Sequence, residues 1–433
     1  MAAPAQVQPA NALGWNNADV TVNWNWSDSG SGVDPANCTT SSTSSGEGDL
    51  TLTASCKDRA GNTGSASHTV KVDKTAPTVG AAASPAANAH GWNRSDVTVA
   101  FGGTDSLSGI DSCTADAVLG SDGAGQSASG TCTDRAGNVS APATAAGINI
   151  DKTKPIASAN AAPAANANGW NSTSVTVTFS GTDNLSGIDS CTAATVLASE
   201  GAGQSASGTC TDRAGNTGDP ATASGINIDK TPPVTVSALE GTAGLAGWFI
   251  SPAQLTLTAS DNLSGVAGTT YSLDGGAARA YTGSFTIGHG RHTLTCWSTD
   301  AAGNAEGAQS LAINVDLTPP SVTAAPALAT LWPPNGKMVS NGVTGSVSDD
   351  LFAPGELATT FAVVDEYGQI QPDGTLTASS NGTYGAPFAL QSSRLGSDMD
   401  GRRYTITVTA TAPSGLTSSA TALVVCPHDQ GRR

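Results

Sequence analysis

Four tryptophans, Trp15, Trp92, Trp170 and Trp248, stand 77, 78 and 78 residues apart, each after a glycine and ahead of a run alternating apolar and polar residues. A period of that length is one small domain repeated, so the chain must bury several separate cores instead of one large one. The alternating runs are DVTVNWNW (19 to 26), DVTVAF (96 to 101), SVTVTF (174 to 179) and QLTLTA (254 to 259). Period two is the mark of half-buried strands, and Trp24 falls on the inward face with Val20 and Val22. Each repeat continues through a turn (TDSLSG, TDNLSG, SDNLSG), a Gly-rich hairpin, a turn of DRAGN type and a closing strand such as GINID. No stretch of the repeats has helical period, and short strands at regular spacing predict antiparallel β-sandwiches of about seven strands.

The segments DKTAP (73 to 77), DKTKP (151 to 155), DKTPP (229 to 233) and DLTPP (316 to 320) close one repeat and open the next. Proline there blocks ladder pairing and stiffens the connection, so the domains are expected to form a rod. The expected domains are 1–73, 74–151, 152–229 and 230–316, followed by a longer β-module, 317–433, that holds LWPPNGKMV (331 to 339) and RRYTITVTATA (402 to 412).

The blocks NANGWN, TDNLSGIDSC, CTDRAGN and INIDKTPP resemble the tandem immunoglobulin-like repeats of large bacterial extracellular and surface proteins, over residues 1 to about 320. In the fourth repeat, YSLDGGAARAYTGSFTIGHGRHTLTCWSTDAAGN is similar to a related subtype with a longer central hairpin. The final module, with LWPPN, GRRYTITVTA and VVCPHDQ, is distantly similar to hyalin repeats, but TAPSGL (411 to 416) lacks the Asp and Asn of the usual turn. The resemblance implies an all-β tandem array and a role in adhesion, spacing or accessory binding, and a fold does not choose among these.

Charged residues make up 12% of the chain, against about a quarter in ordinary soluble domains. The net charge of −17 comes from scarce Lys and Arg, which argues against nucleic acid or anionic membranes as partners and for cations. No apolar run approaches the roughly 18 residues that span a bilayer, and MAAPAQVQPAN has neither a basic segment nor an apolar core. Met1 reads as an added start on a processed or excised chain. Cys38 and Cys56, Cys113 and Cys132, and Cys191 and Cys210 lie 18, 19 and 19 residues apart at matching places. Three local disulfides are expected in an extracellular compartment; zinc is the alternative, poorly matched because no His pair accompanies the Cys pairs. Cys296 is expected to keep the second cysteine position with its partner replaced by Thr269, leaving it and Cys426 free or buried.

An Asp stands in the turn after the first alternating strand (Asp28, Asp105, Asp183, Asp261) and another in the DRAGN-type turn (Asp58, Asp134, Asp212, Asp300). In an immunoglobulin-like sandwich these connections emerge at one end, where the preceding linker also enters. Asp73, Asp151 and Asp229 are therefore expected to approach the paired turn aspartates of the following repeat, an oxygen-rich setting suited to calcium. Turn chemistry alone also accounts for both motifs and is the weightier reading, since no repeat has the dense spacing of a strong calcium loop. The linker Asp is the discriminating feature, because no hairpin needs it.

Other candidates are weaker. His289 and His292 have metal-like spacing but no third ligand is apparent, and the GWN tryptophans fit packing over the sandwich edge better than a sugar platform. A catalytic site would have to lie in the last module, around Asp349, Asp350, Asp365 and Glu366. No hydrolase or phosphate-loop motif is present. The sequence thus predicts a non-catalytic extracellular or cell-surface segment, a stalk or adhesin part that calcium can stiffen. The alternative is an accessory module that binds carbohydrate or an extracellular protein for a larger enzyme or filament.

Overall fold

The computed structural model describes residues 1–428; Asp429 and Gln430, which end the VVCPHDQ block, lie outside the described residues. The chain is all-β, a tandem series of small, largely antiparallel sheets, and the one helical stretch among the described residues is the single turn Pro354–Glu356. No helix is long and apolar enough to cross a membrane. Contacts divide the chain into two compact units, one comprising Met1–Ala162, Thr176–Leu197 and Ser205–Gly225, the other Pro163–Val175, Ala198–Gln204 and Ile226–Arg433.

In the first unit the opening sandwich faces the sheet Ala2–Gln6, Thr21–Trp26, Ser41–Thr43 against the sheet Val33–Cys38, Gly48–Asp58, Thr63–Val72. Alternation decides what lies inside: Val20, Val22 and Trp24 are buried against Ala54, Val70 and Val72. The Trp24 indole N–H is satisfied by Ser42 Oγ at 3.0 Å, as a buried indole requires. The next sandwich repeats the plan with Val97, Val99 and Phe101 against Ile148 and Ile150. Phe101 fits only because Gly130 faces it: a Cβ there would stand 2.6 Å from the ring. Ile156–Ala162 then pairs along its length with the following strand, from Ile156 opposite Thr182 to Ala162 opposite Thr176.

The second unit holds a sandwich in which Val234–Glu240, Ala253–Ser260 and Phe285–Ile287 face a five-stranded sheet, and a final sandwich of three and four strands. The core of the last is built on Val343, Val347, Phe361, Leu390, Tyr404, Ile406 and Val408. Trp248, the fourth of the periodic tryptophans, is 6% exposed and joins this core, whereas Trp15, Trp92 and Trp170 are half-buried.

Cys38–Cys56, Cys113–Cys132 and Cys191–Cys210 are disulfide-bonded, each pair directly opposite on neighbouring strands. The expectation for the fourth repeat needs correction. Ser298, not Cys296, stands two residues before the turn Asp, and it faces Thr269. The lost disulfide is replaced by a hydroxyl pair, Thr269 Oγ1 to Ser298 Oγ at 2.8 Å. Cys296 lies two residues back on the same face, opposite Tyr271, buried in the core, and burial pushes its thiol pKa up.

Each disulfide closes a loop of under twenty residues, which in the chain-entropy view stabilises a small domain by about 3 kcal/mol. Replacing Cys113 and Cys132 together by Ser should lower the denaturation free energy of the second repeat by about that amount and leave the fourth repeat unchanged. Denaturation followed by domain-resolved hydrogen exchange checks this.

Candidate metal centre

Each turn aspartate first serves its own turn. Asp105 Oδ1 accepts the backbone N–H groups of Leu107 at 3.1 Å and Gly109 at 2.7 Å, and Asp183 and Asp261 do the same with one oxygen each. Asp134 Oδ1 accepts Gly137 and Asn138 N–H at 2.7 and 2.8 Å, and Asp212 and Asp300 repeat the pattern. This is ordinary side-chain capping of a tight turn. It explains why an Asp opens DRAGN, and it leaves part of each carboxylate unused.

The linker aspartate is not explained by any hairpin. Asp73, Asp151 and Asp229 are fully buried, and each places one oxygen on the N–H of a serine in the next turn: Ser108 at 2.9 Å, Ser186 at 3.0 Å and Ser264 at 2.9 Å. The Asn of DRAGN completes the clip. Asn138, Asn216 and Asn304 donate Nδ2 both to their own turn Asp and to the carbonyl of the linker Asp, at 2.8, 2.9 and 2.9 Å for the latter.

These contacts bring Asp73, Asp105 and Asp134 together, and likewise Asp151, Asp183 and Asp212, and Asp229, Asp261 and Asp300. In each set one oxygen per residue lies within 4.8 Å of the others. Two oxygens on one calcium ion, each about 2.4 Å from it, are at most about 4.8 Å apart, so the spacing suits a single ion. Among the described residues none of the nine pairs with Lys, Arg or His. Two carboxylates this close repel by about 3 kcal/mol at an effective dielectric near 20. Asp261 Oδ1 is also buried without any hydrogen-bond partner. Buried negative charge without a counter-charge or donor is what a hard, oxygen-seeking cation relieves, so the residues present fit calcium.

The sequence reading missed a second set of contacts. Asn11, Asn88 and Asn166, four residues before each GWN tryptophan, donate Nδ2 to the carbonyls of Arg135, Arg213 and Ala301 in the DRAGN-type turn of the following repeat, at 2.7, 2.8 and 2.8 Å. The GWN segment is held beside the linker by parallel bridges such as Asn16 to Val72 and Asn93 to Ile150. The signal was the recurrence of Asn at that offset. Glu47, Asp122 and Glu200 likewise accept the N–H of Lys74, Lys152 and Lys230, fixing the linker on its own repeat.

The joint after the fourth repeat is built differently. Asp316 is also fully buried, but the turn meeting it has Ala412 and Leu416 where the others have Asp and Asn, and its carboxylate accepts the Ser414 hydroxyl instead. Gly244 replaces the helper Asn because Ser414 O passes within 2.3 Å of where a Cβ would be. Trp248 packs against Phe352 with the rings tilted by 58° and 4.8 Å between centroids, and the Arg291 guanidinium lies 4.8 Å from one ring and 5.4 Å from the other. His289 gains the neighbours its sequence context did not reveal. Its Nδ1 accepts Leu317 N–H at 3.0 Å, so Nε2 carries the proton donated to Asp350 Oδ2 at 2.8 Å. Asp316 and Asp350 surround it, but both ring nitrogens are occupied. His292 is elsewhere, bonded to Asp274 at 2.8 Å.

Asp349 follows its strand as Asp105 does, and its Oδ1 caps Leu351 and Phe352 while Oδ2 is buried without a partner. Burial pushes its pKa up, and the charges of Asp316 and Asp350 add to this. For Asp365, burial alone would raise the pKa, but the Arg402 guanidinium beside it holds it below the usual range. Arg402 is stacked between Tyr367 and Tyr404 at 4.9 and 4.7 Å. Glu366 accepts Arg403 N–H at 2.7 Å. In the first repeat Asp28 and Asp58 cap their turns in the same way.

No family model matches the sequence, and no curated protein matches it. Among solved structures, the chain is similar to a tetra-tandem repeat in the extending region of a large adhesion protein, at 17% identity and TM-score 0.26 over 98% of this chain and 99% of that one. It is similar to a structure bearing on host cell surface retention of a 1.5-MDa bacterial ice-binding adhesin, at 15% identity and TM-score 0.27 over 64% and 98%. The protocadherin γB4 extracellular domain aligns at 12% identity and TM-score 0.33 over 87% and 71%. At such scores no functional conclusion follows from the likeness.

Two outcomes test the fourth joint. Gly244→Ala should destabilise it by about 1 to 3 kcal/mol through the clash with Ser414 O, seen as faster hydrogen exchange at Leu245, whose N–H bonds that carbonyl. A raised folded pKa means Asp349 binds its proton more tightly folded than unfolded, so this group's contribution to stability falls as pH rises above its ordinary value of 3.8. Asp349→Asn should therefore raise the denaturation midpoint at neutral pH and lose that advantage as the pH approaches the ordinary carboxylate range.

Proposed function

We propose that the chain is a non-catalytic extracellular or cell-surface segment, a stalk or adhesin part made of immunoglobulin-like repeats whose joints calcium stiffens. The observation that carries this is the set of three buried carboxylate triads, each joining a linker Asp to two turns of the following repeat without any basic side chain. A cation bound there would tie three chain segments at one point and remove their repulsion. Without it the same charges would loosen the joint while the sandwiches, two of the three that follow a triad being held by a disulfide, stayed folded. The function is mechanical: to set how freely one small domain turns on the next. The disulfides fit an oxidising, extracellular compartment.

Asp183→Asn separates this reading from simple turn formation. The amide oxygen can still accept Leu185 and Gly187 N–H, so the turn is kept while one charge is lost. In chelator the variant should be more stable than the parent chain, by up to about 6 kcal/mol, because Asp183 repels both Asp151 and Asp212 at about 3 kcal/mol per pair. In calcium it should be less stable and bind two ions in titration calorimetry where the parent binds three, one per triad. At a calcium concentration a hundredfold above Kd the parent should gain about 2.7 kcal/mol per site. Identical melting of parent and variant with calcium and with chelator would show that the carboxylates only form turns.

A further inference from the structure

The three triads are built alike, but the loops beside them are not charged alike. In the second joint the exposed Arg94, two residues after the GWN tryptophan, donates Nη1 to the carbonyl of Gly215 at 3.3 Å, and the N–H of that same Gly215 caps Asp212 at 2.7 Å. Asn216 N–H meets the same Asp212 oxygen at 2.8 Å, so only one peptide unit separates guanidinium from carboxylate, a span of less than about 9 Å. Arg94 pairs with none of the three carboxylates directly. The matching residues are Asn17 in the first joint and Ser172 in the third, both uncharged. Asn17 lies beside Gly137, the counterpart of Gly215, so the two loops follow one plan.

The neighbouring residues deepen the contrast. Arg213 follows Asp212 as Arg135 follows Asp134, while Ala301 follows Asp300. Lys154 and His90 have basic counterparts in neither of the other joints, though each is engaged by an acid, Asp219 at 3.1 Å and Asp189 at 3.3 Å. In the third joint the added charge is negative: Glu306 accepts the N–H of Ser298, two residues before Asp300. Three carboxylates carry three negative charges, and a divalent ion leaves one. A cation nearby therefore favours the empty triad over the filled one by the attraction of two unit charges. At about 9 Å in a water-like dielectric this weakens ion binding about fivefold, and more where the joint excludes water.

We propose that Arg94 is a built-in partial counterion of the second triad, so that this joint holds its divalent cation least tightly of the three and releases it first. The proposal rests on the calcium reading above and gives an order to sites which that reading treats alike. Arg94 acts from outside the ligand set: it lends charge to the empty triad and keeps the Gly215 turn against the GWN segment when the ion is gone.

Three serine amides report the joints one by one, since Ser108, Ser186 and Ser264 each donate to a different linker Asp. Their hydrogen exchange is followed in the full chain as calcium is raised from chelator at low ionic strength. The midpoint for Ser186 should lie at least about fivefold higher in calcium than those for Ser108 and Ser264. Arg94→Gln keeps a donor for Gly215 O without the charge and should bring the Ser186 midpoint down to its neighbours. Arg94→Lys keeps the charge and should leave that midpoint within about twofold of the parent. Asn17→Arg, which adds the charge to the first joint, should raise the Ser108 midpoint alone. In about 1 M KCl, where the screening length is about 3 Å, the difference between joints should vanish, whereas a purely structural hydrogen bond would preserve it. Equal midpoints in the parent, or a Ser186 midpoint that Arg94→Gln leaves in place, overturn the proposal and spare the calcium reading. No response to calcium at any of the three serines overturns both.

Discussion

A buried carboxylate without a cationic partner is the constraint on which the joints depend. Asp73, Asp151 and Asp229 give up hydration entirely, and what they receive in return from protein is a pair of backbone N–H groups each. Those bonds are charge-assisted and strong, but they do nothing about the two further carboxylates brought within 4.8 Å. Repulsion of about 3 kcal/mol per pair is comparable to what a disulfide gives one of these small domains. The arrangement is therefore poised: three carboxylates meet at one joint, and among the described residues no basic side chain pairs with them.

The fourth joint shows what the same geometry becomes when the DRAGN-type turn loses its Asp and Asn while the linker Asp316 and the strand-end Asp349 remain. The linker Asp and its Thr318 cap are retained, yet the turn Asp becomes Ala412, the Asn becomes Leu416, and a hydroxyl from Ser414 faces the remaining carboxylate. Apolar and aromatic contact takes over, with Trp248 drawn into the neighbouring core and Arg291 laid over the two rings. Asp316 and Asp350 still gather beside His289 there, with Asp349 close enough to feel both charges.

Much of the fold was legible because it depends on local pattern. Val20, Val22 and Trp24 alternate with polar residues, and the burial follows that alternation residue by residue. The cysteine spacing led to the pairs, since both members sit directly opposite each other on paired strands of one small sheet. The fourth repeat misled at Cys296 because sequence cannot show register: counting from the preceding strand pointed to a cysteine, while counting from the turn Asp gives Ser298. His289 was read as lacking a third neighbour for a related reason, since Asp350 is 61 residues away and reaches it only through the sandwich that follows.

The linker Asp could be found from sequence because it recurs and because turn chemistry gives it no task. Asn11, Asn88 and Asn166 recur equally well, yet an Asn before a Gly-Trp has a sufficient local explanation: its Oδ1 caps the loop, as at Trp15 N–H, 3.1 Å away. The same side chain has two ends, and only the carbonyl end answers to the local loop. The amide end reaches Arg135, 124 residues on, and no periodicity within one repeat could reveal it. A repeated residue whose local task uses half its hydrogen-bonding capacity is thus a candidate for contact with the next copy. Asn138 satisfies a related criterion: its amide bonds its own turn Asp134 and still reaches the carbonyl of the linker Asp73.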